Sequence, residues 1–231
     1  MIALHQHRLL PHCLLAFVAL SLGAIRSQAQ TPGATDWRAA LHSFALAHLH
    51  HSAWGLAHAQ RDYESTMALG REESIALDSD VVYAAAYLHD LAGSPPYDTS
   101  KMDHADHAAE LAGPILHDAG FPMEKLARVQ DVIRGHMYYR EPAPSAEARL
   151  FHDADTLDFL GAIGIARMIS ITDARSSTSL PQEVATLRSS VDDLPKHLTS
   201  KAAQREAVKR VAQMRAFLDA LSAQTDTLSA L

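Results

Sequence analysis

Residues 80–90 of the 231-residue chain read DVVYAAAYLHD, and this stretch decides the fold class. Its eight consecutive apolar residues would be buried on every side, whether they form a strand or a helix. The three successive alanines favour a helix, because alanine has the highest helix propensity and is depleted in strands. Capping residues precede the run, and Gly93 follows it. The run ends on His89 and Asp90, which are costly to bury unless a charge or a metal ion satisfies them.

The rest of the chain also shows helical periodicity. Spacings of three and four predict one helix face, formed by Leu41, Phe44, His48, His51, Gly55 and His58. A further helix is predicted from Asp103 to Gly120, with Pro114 inside it as a residue that would kink or shorten the helix, and another begins at Pro122. Residues 146–171 should form one or two helices and residues 200–222 a terminal one, with loops at 141–145 and 176–181. There is no hairpin signal, internal repeat or glycine-rich phosphate loop, so we predict an all-α fold.

Residues 1–29 have the features of a secretory signal peptide. A weakly basic start with Arg8 precedes a short apolar core, Leu14–Leu22, and small residues up to Ala29 suit a cleavage site. The apolar stretch is shorter than a membrane span, although an uncleaved anchor is the alternative. Cleavage would remove Cys13, the single cysteine. The mature chain would then have no disulfide, no thiolate metal ligand and no cysteine nucleophile. We expect a periplasmic or secreted protein without a membrane segment after cleavage.

The overall charge limits the partners. The chain carries 20 Lys and Arg against 27 Asp and Glu, a formal net charge of −7. Nucleic acid duplexes require clustered basic residues, so we expect none to bind. A small phosphorylated molecule remains possible as a partner, since a bound metal ion can supply positive charge. Nothing in the sequence indicates the oligomeric state.

Histidine is frequent, with 15 residues, and it is both the commonest metal ligand and a general acid or base near neutral pH. Three His-Asp dipeptides occur, in different settings. His117-Asp118 lies near a predicted helix end, where solvent is the expected partner. His152-Asp153 begins a carboxylate-dense stretch within an apolar region. His89-Asp90 ends the most apolar segment of the mature chain and is the strongest candidate for a metal-binding pair.

A second informative stretch, residues 153–167, reads DADTLDFLGAIGIAR. It looks like the "DADRLDALGAIGIAR" stretch of a small bacterial subfamily of HD hydrolases. The IRGH of residues 133–136, Glu147-Ala148 after the proline-rich loop, and the terminal helix match further. The sequence therefore resembles the HD-domain metal-dependent phosphohydrolase superfamily over about residues 40–222. The resemblance implies a single HD-domain helical bundle at residues 36–222, with a metal-binding core to about 175 and C-terminal helices packed on it.

The resemblance also implies a set of metal ligands, namely His51, His89, Asp90 and Asp155. Two imidazoles and two carboxylates suit Mn²⁺, Fe²⁺, Co²⁺ or Mg²⁺ and leave positions open for water and substrate. Such an ion lowers the pKa of bound water and neutralises charge on phosphoryl oxygens. By periodicity alone, His48 and His58 are nearly as good as His51. His51 is preferred because Trp54-Gly55 stands where the family places the residues after its first ligand.

Three residues are candidates for catalysis: Asp90, His136 and Asp158. The resemblance implies that Asp90 both ligates the metal and accepts the proton of the attacking water. Asp158, one turn after the predicted aspartate ligand, is either a partner of the ligands or an ordinary helix carboxylate. His136 continues an inward-facing stripe and is either a ligand of substrate or of a second metal, or a buried core histidine. His104 is a similar candidate, with His107 as its alternative.

The sequence departs from the family pattern directly after Asp90. A Lys or Arg commonly follows the His-Asp pair, whereas residues 91–93 read LAG. This weakens the expectation of nucleotide phosphates as substrates and leaves metal binding intact. The preferred function is a phosphohydrolase acting on phosphomonoesters or phosphoanhydrides through a metal-activated water. The alternatives are a non-catalytic HD-fold binding module and a di-iron oxygenase that adds His104 and His136 as ligands.

Overall fold

The computed structural model describes residues 36–98, 101–172, 178–226 and 228. The predicted signal peptide at residues 1–29, with Cys13, lies outside the described residues, as does part of the predicted loop at 176–181. The described residues belong to one compact unit, Ala34–Leu231. Their regular secondary structure is entirely helical, which confirms the all-α prediction for these ranges. Within them, no helix combines the length and the apolar composition needed to cross a membrane.

Nine α-helices are present in the described chain: α1 (Trp37–His48), α2 (Leu56–Glu72), α3 (Ser79–Ala86), α4 (His104–Ala119), α5 (Leu126–Arg134), α6 (Ala146–Asp158), α7 (Gly161–Ser170), α8 (Leu180–Asp193) and α9 (Lys201–Gln224). Short 3-10 helices occur at Leu91–Gly93, Met123–Lys125 and Leu194–His197.

The predicted continuous helix through His48 and His58 is wrong, because the chain turns between α1 and α2. Residues 49–55 form this connection. Gly55 closes it, since a Cβ at this position would lie 2.2 Å from the carbonyl oxygen of His51. The spacing of three and four continues across the turn, so periodicity alone could not reveal the break.

The apolar run of the quoted stretch forms α3, as predicted. Asp78 caps the helix by accepting the backbone N–H of Asp80, and the helix ends at Ala86. Residues 87–90 form a turn. His89 is 1% exposed, so the turn carries the His-Asp pair into the interior of the domain.

Local signals set several other boundaries. Asp103 caps α4, and the helix continues through Pro114 without being shortened. Gly120 ends it at φ +84°, a left-handed conformation that glycine adopts at no steric cost. Pro122 precedes the 3-10 helix at Met123–Lys125 instead of opening α5 directly. The predicted helical stretch 146–171 forms two helices, α6 and α7. Leu180 already begins α8, within the stretch predicted as a loop.

Helix α6 lies between two apolar cores. Phe151 belongs to the core built mainly from α1 to α5. Leu150 and Leu157 belong to the second core, which α7, α8 and α9 complete. Every residue from Leu150 to Asp158 is buried. The aspartates of α6 are therefore held at the centre of the domain by packing on both sides.

The His152-Asp153 dipeptide of α6 has a structural role. The Asp153 carboxylate accepts the backbone N–H groups of Thr199 at 2.7 Å and Ser200 at 2.8 Å, just before α9. The Nδ1 of His152 lies 3.0 Å from the carbonyl oxygen of Gly135. These contacts attach the C-terminal segment to α6. The exposed His117-Asp118 pair lies on the surface, as expected.

Candidate metal centre

Helices α2 and α6 pack against each other and present acidic and imidazole groups across their contact. His58 and Asp62 occupy successive turns of α2 and therefore share one helix face. The His58 Nε2 atom lies 3.1 Å from Asp62 Oδ2 and 3.4 Å from Asp155 Oδ1 of α6. The α2–α6 contact thus brings one imidazole and two carboxylates together.

The turn after α3 completes this group. His89 Nε2 lies 3.2 Å from His58 Nε2 and 3.5 Å from Asp62 Oδ2. One ligand atom from each of four buried residues lies within 4.8 Å of the others. We call these four residues the primary cluster: His58, Asp62, His89 and Asp155. Asp90 Oδ2 borders it, at 3.3 Å from the Nε2 atoms of both histidines.

The hydrogen bonding of the primary cluster fits a bound cation. His89 Nδ1 lies 2.9 Å from a backbone carbonyl oxygen of α3, and His58 Nδ1 lies 2.8 Å from Asp158 Oδ2. Each Nδ1 is therefore the donor, and each Nε2 directs a lone pair into the cluster. Neither oxygen of Asp62 has a hydrogen-bond partner, and Asp155 Oδ2 has none. Buried acceptors that face one another without donors suit a divalent ion with mixed nitrogen and oxygen ligands.

Asp90 faces a second group with its other oxygen. Asp90 Oδ1 lies 3.6 Å from His136 Nε2 and 3.8 Å from His104 Nε2, and these two nitrogens are 3.3 Å apart. We call Asp90, His104 and His136 the second cluster. His136 is fully buried, and its Nδ1 lies 2.6 Å from a carbonyl oxygen of α5, so its Nε2 also faces inward. His104, and not its alternative His107, takes part in this group.

The charges within the clusters shift several pKa values. Burial opposes protonation of His58, but the surrounding carboxylates, Asp62 foremost, raise its pKa well above the ordinary value. Burial raises the pKa of Asp62 well above the range of exposed carboxyls. Burial also acts to raise the pKa of Asp90, but His89 and His136 outweigh it and hold that pKa well below the ordinary value. Without a metal, a proton is therefore retained around His58 and Asp62, whereas Asp90 is ionised.

Asp158 supports His58 from behind. Its Oδ2 atom lies 2.8 Å from both His58 Nδ1 and Arg61 Nη2, and 3.0 Å from Arg167 Nη1. Burial alone would raise the pKa of Asp158, but the hydrogen bonds from His58 and Arg61 lower it below the ordinary value. A carboxylate on the outer nitrogen fixes the orientation of a ligating imidazole. Of the roles predicted for Asp158, this position fits the partner role and not contact with a reacting group.

His51, the predicted ligand of the first helix, lies outside both clusters. Its ring is stacked on Trp54, with centroids 3.3 Å apart, and its Nδ1 accepts the backbone N–H of Ala53 at 3.1 Å. His51 belongs to the turn before α2, so its side chain does not share the α2 face that approaches α6. His58, one of the two alternatives left open by periodicity, takes this place, and the other three predicted ligands come together around it.

Two residues of the centre are absent from the sequence prediction. Asp62 follows His58 by four residues, a spacing that places both on one helix face and could have revealed it. Arg167 also belongs to the centre, since its Nη2 lies 3.2 Å from His58 Nε2 and the residue is 4% exposed. It closes the stretch DADTLDFLGAIGIAR, yet no local pattern connects it with a histidine 109 positions earlier.

These observations define an all-α domain with a buried His/Asp centre suited to a divalent metal. Residues 46–160, which include α2 to α6, match the model of the HD domain family. The chain therefore belongs to the HD-domain family. Comparison with curated proteins gives no match.

Three solved structures illustrate the likeness. A protein described as a predicted HD superfamily hydrolase, from an uncultured Thermotogales bacterium, is 26% identical with a TM-score of 0.53, covering 81% of this chain and 88% of that one. A Lactobacillus plantarum protein is 23% identical with a TM-score of 0.60, covering 81% and 96%. Bacillus subtilis YpgQ, solved with ADP, is 20% identical with a TM-score of 0.59, covering 81% and 97%. The described helices thus adopt a fold shared with these proteins.

Proposed function

We propose that the chain is a metal-dependent phosphohydrolase that cleaves a phosphomonoester or phosphoanhydride of a small molecule. The observation that carries this proposal is the position of Asp90, which faces the primary cluster with one oxygen and His104 and His136 with the other. Membership of the HD-domain family and the hydrolase name of the Thermotogales protein support the hydrolase class.

The residues divide into binding and reacting roles. The primary cluster would hold Mn²⁺, Fe²⁺, Co²⁺ or Mg²⁺, an ion that lowers the pKa of water and offsets charge on phosphoryl oxygens. Asp90 borders this cluster as an ionised carboxylate and is placed to accept the proton of the attacking water. His136 and His104, on the far side of Asp90, are placed to contact the phosphoryl group. Asp158 keeps the His58 imidazole oriented.

The test combines metal analysis with hydrolysis of 4-nitrophenyl phosphate in the presence of each of the four ions. Asp90→Ala should lower kcat by about 10²–10⁴-fold, the range for loss of a general base. Asp118→Ala is the matched control, because it alters an exposed His-Asp pair and should leave activity unchanged. Absence of hydrolysis with every ion, or equal activity of the two variants, would contradict the proposal.

A dinuclear centre is the second candidate, favoured by the convergence of Asp90 Oδ1, His104 Nε2 and His136 Nε2. It would allow either two-metal hydrolysis or the di-iron oxygenase chemistry. Two metal ions per chain, falling to one in His104→Ala, would support it, and oxygen consumption by the iron-loaded protein would separate the oxygenase from the hydrolase. One ion per chain in both proteins would exclude the dinuclear centre.

We also propose that residues 1–29 direct export, so that the substrate is met in the periplasm or outside the cell. Expression of the full chain in a bacterium, followed by mass measurement of the periplasmic fraction, should give a product that begins near residue 30. An uncleaved chain in the membrane fraction would instead support the anchor alternative.

A further inference from the structure

A cavity of about 370 Å³ lies beside the candidate metal centre. Asp90, His104 and Asp155 line it, so it opens onto both clusters. A ligand in this cavity would contact the groups that bind metal and also the other side chains that line it. The chemistry of those other side chains bears on which organic group fits beside the metal centre.

Most of the remaining lining is apolar. We call its five large apolar side chains the apolar wall: Trp54, Met137, Phe159, Met168 and Ile171. The polar atom of the Trp54 indole is already used, since its Nε1–H donates to a backbone carbonyl oxygen at 3.1 Å. Sugar hydroxyls and nucleobase edges would lose hydrogen bonds to water against such a surface, whereas an aromatic ring or an alkyl chain would not.

The positively charged side chain that lines this cavity already contacts other protein groups. Arg167 is the one Lys or Arg among the described residues that line it. Its Nε donates to the Ala53 carbonyl oxygen at 2.6 Å, its Nη1 forms an ion pair with Asp158 Oδ2 at 3.0 Å, and its Cζ lies 4.6 Å from the centroid of the Phe159 ring. A triphosphate chain carries more negative charge than a single phosphate, and the described lining offers no second Lys or Arg to offset it. The cavity thus suits a single phosphate at the metal centre better than a longer chain.

We propose that the cavity takes an aryl or alkyl monophosphate, with the phosphate at the clusters and the apolar group against Trp54, Met137 and Met168. This inference rests on the proposed phosphohydrolase function. In the reaction, water forms a new bond to phosphorus, the bond from phosphorus to the aryl or alkyl oxygen breaks, and the proton of the water passes to that oxygen. The products are inorganic phosphate and a phenol or alcohol, and no other reactant is needed. A volume of about 370 Å³ lies at the small end of the range of roughly 300–1,000 Å³ for ligand pockets.

The first experiment compares kcat/KM for 1-naphthyl phosphate, glycerol phosphate and ATP with the metal-loaded protein. 1-Naphthyl phosphate should exceed the other two by at least tenfold. Met168→Lys places a cation in the apolar wall and should reduce this preference by tenfold or more. Val208→Lys is the control, because Val208 lies on α9, is 71% exposed and should leave the preference unchanged.

The second experiment measures binding instead of turnover, by calorimetry with phenylphosphonate and methylphosphonate. Phenylphosphonate should bind at least tenfold more tightly, and Trp54→Ala should abolish the difference. If ATP is hydrolysed as efficiently as 1-naphthyl phosphate, and this activity is lost in Asp90→Ala, the inferred preference for an apolar monophosphate is wrong. The proposed phosphohydrolase function would still hold in that case. If no phosphate is hydrolysed, the proposed function fails, and the phosphonate preference then decides separately whether the cavity takes an apolar phosphate.

Discussion

Replacing His58 with alanine, and comparing it with His51→Ala, tests the construction of the metal centre. The Nε2 atom of His58 lies within 3.4 Å of atoms from Asp62, Asp90 and Asp155, whereas the His51 ring is stacked on Trp54. His58→Ala should therefore remove a ligand. His51→Ala should leave the primary cluster complete.

The expected size of the effect follows from ligand loss. Mutation of an outer partner of a metal ligand lowers affinity by about 10–100-fold. Loss of the ligand itself should weaken binding by at least about 100-fold, or about 2.7 kcal/mol at 1.36 kcal/mol per factor of ten. With free metal at about 100 times the Kd, binding stabilises the wild-type fold by about 2.7 kcal/mol, and a 100-fold weaker site leaves about 0.4 kcal/mol.

The assay is the metal-induced change in Tm, with each variant referred to its own metal-free value. For a domain of this size, 1 kcal/mol corresponds to roughly 2–4 °C. We therefore expect a shift of about 5–11 °C for the wild type and His51→Ala, and about 1–2 °C for His58→Ala. A full shift in His58→Ala, or its loss in His51→Ala, would refute the assignment of His58 to the primary cluster.

Three further predictions follow from the same contacts. Asp158→Asn should weaken metal binding by about 10–100-fold in a direct titration, since the imidazole of His58 loses its carboxylate partner; unchanged affinity would contradict this. Asp153→Ala should lower the free energy of unfolding in urea by about 1–3 kcal/mol, because the N–H groups of Thr199 and Ser200 lose their acceptor, while metal affinity stays constant. The pKa of His58 is raised in the folded protein, so protonated His58 stabilises the metal-free fold. This stabilisation is complete below about pH 6.5, the ordinary pKa of histidine, and is lost as the pH rises through the raised pKa of the folded state. Metal affinity should therefore increase with pH, and calorimetry in buffers of different ionisation enthalpy should detect proton release; pH-independent binding without proton release would be the contrary result.

The parts of the fold that sequence could predict are those with local causes. The apolar composition around the alanines is enough to place α3, and Asp103 and Gly120 mark α4 by capping and by a left-handed conformation. The break before α2 was not predictable in this way. It depends on the close approach of Gly55 to the His51 carbonyl, which leaves the spacing of apolar residues undisturbed.

The same distinction applies to the candidate centre. His89, Asp90 and Asp155 were predictable because each stands in a stretch that resembles the family. Asp62 was not predicted, because its spacing of four from His58 becomes informative only once His58 is known to face the partner helix; before that, a single aspartate in a polar helix segment has the pattern of a solvent-facing residue. The choice between His51 and His58 likewise depended on which side of the turn approaches α6, a tertiary property.

Helix α6 also determines how the protein should tolerate mutation. Most helices of a globular domain have a solvent face, so substitutions along them are accepted and rejected with the period of the helix. From Leu150 to Asp158 there is no such face, since every residue of this stretch is buried. A deep mutational scan should therefore show residues 150–158 of α6 as one unbroken intolerant segment, beside the periodic profile of α9. Tolerated substitutions would then be concentrated in the helices that have a solvent-exposed face.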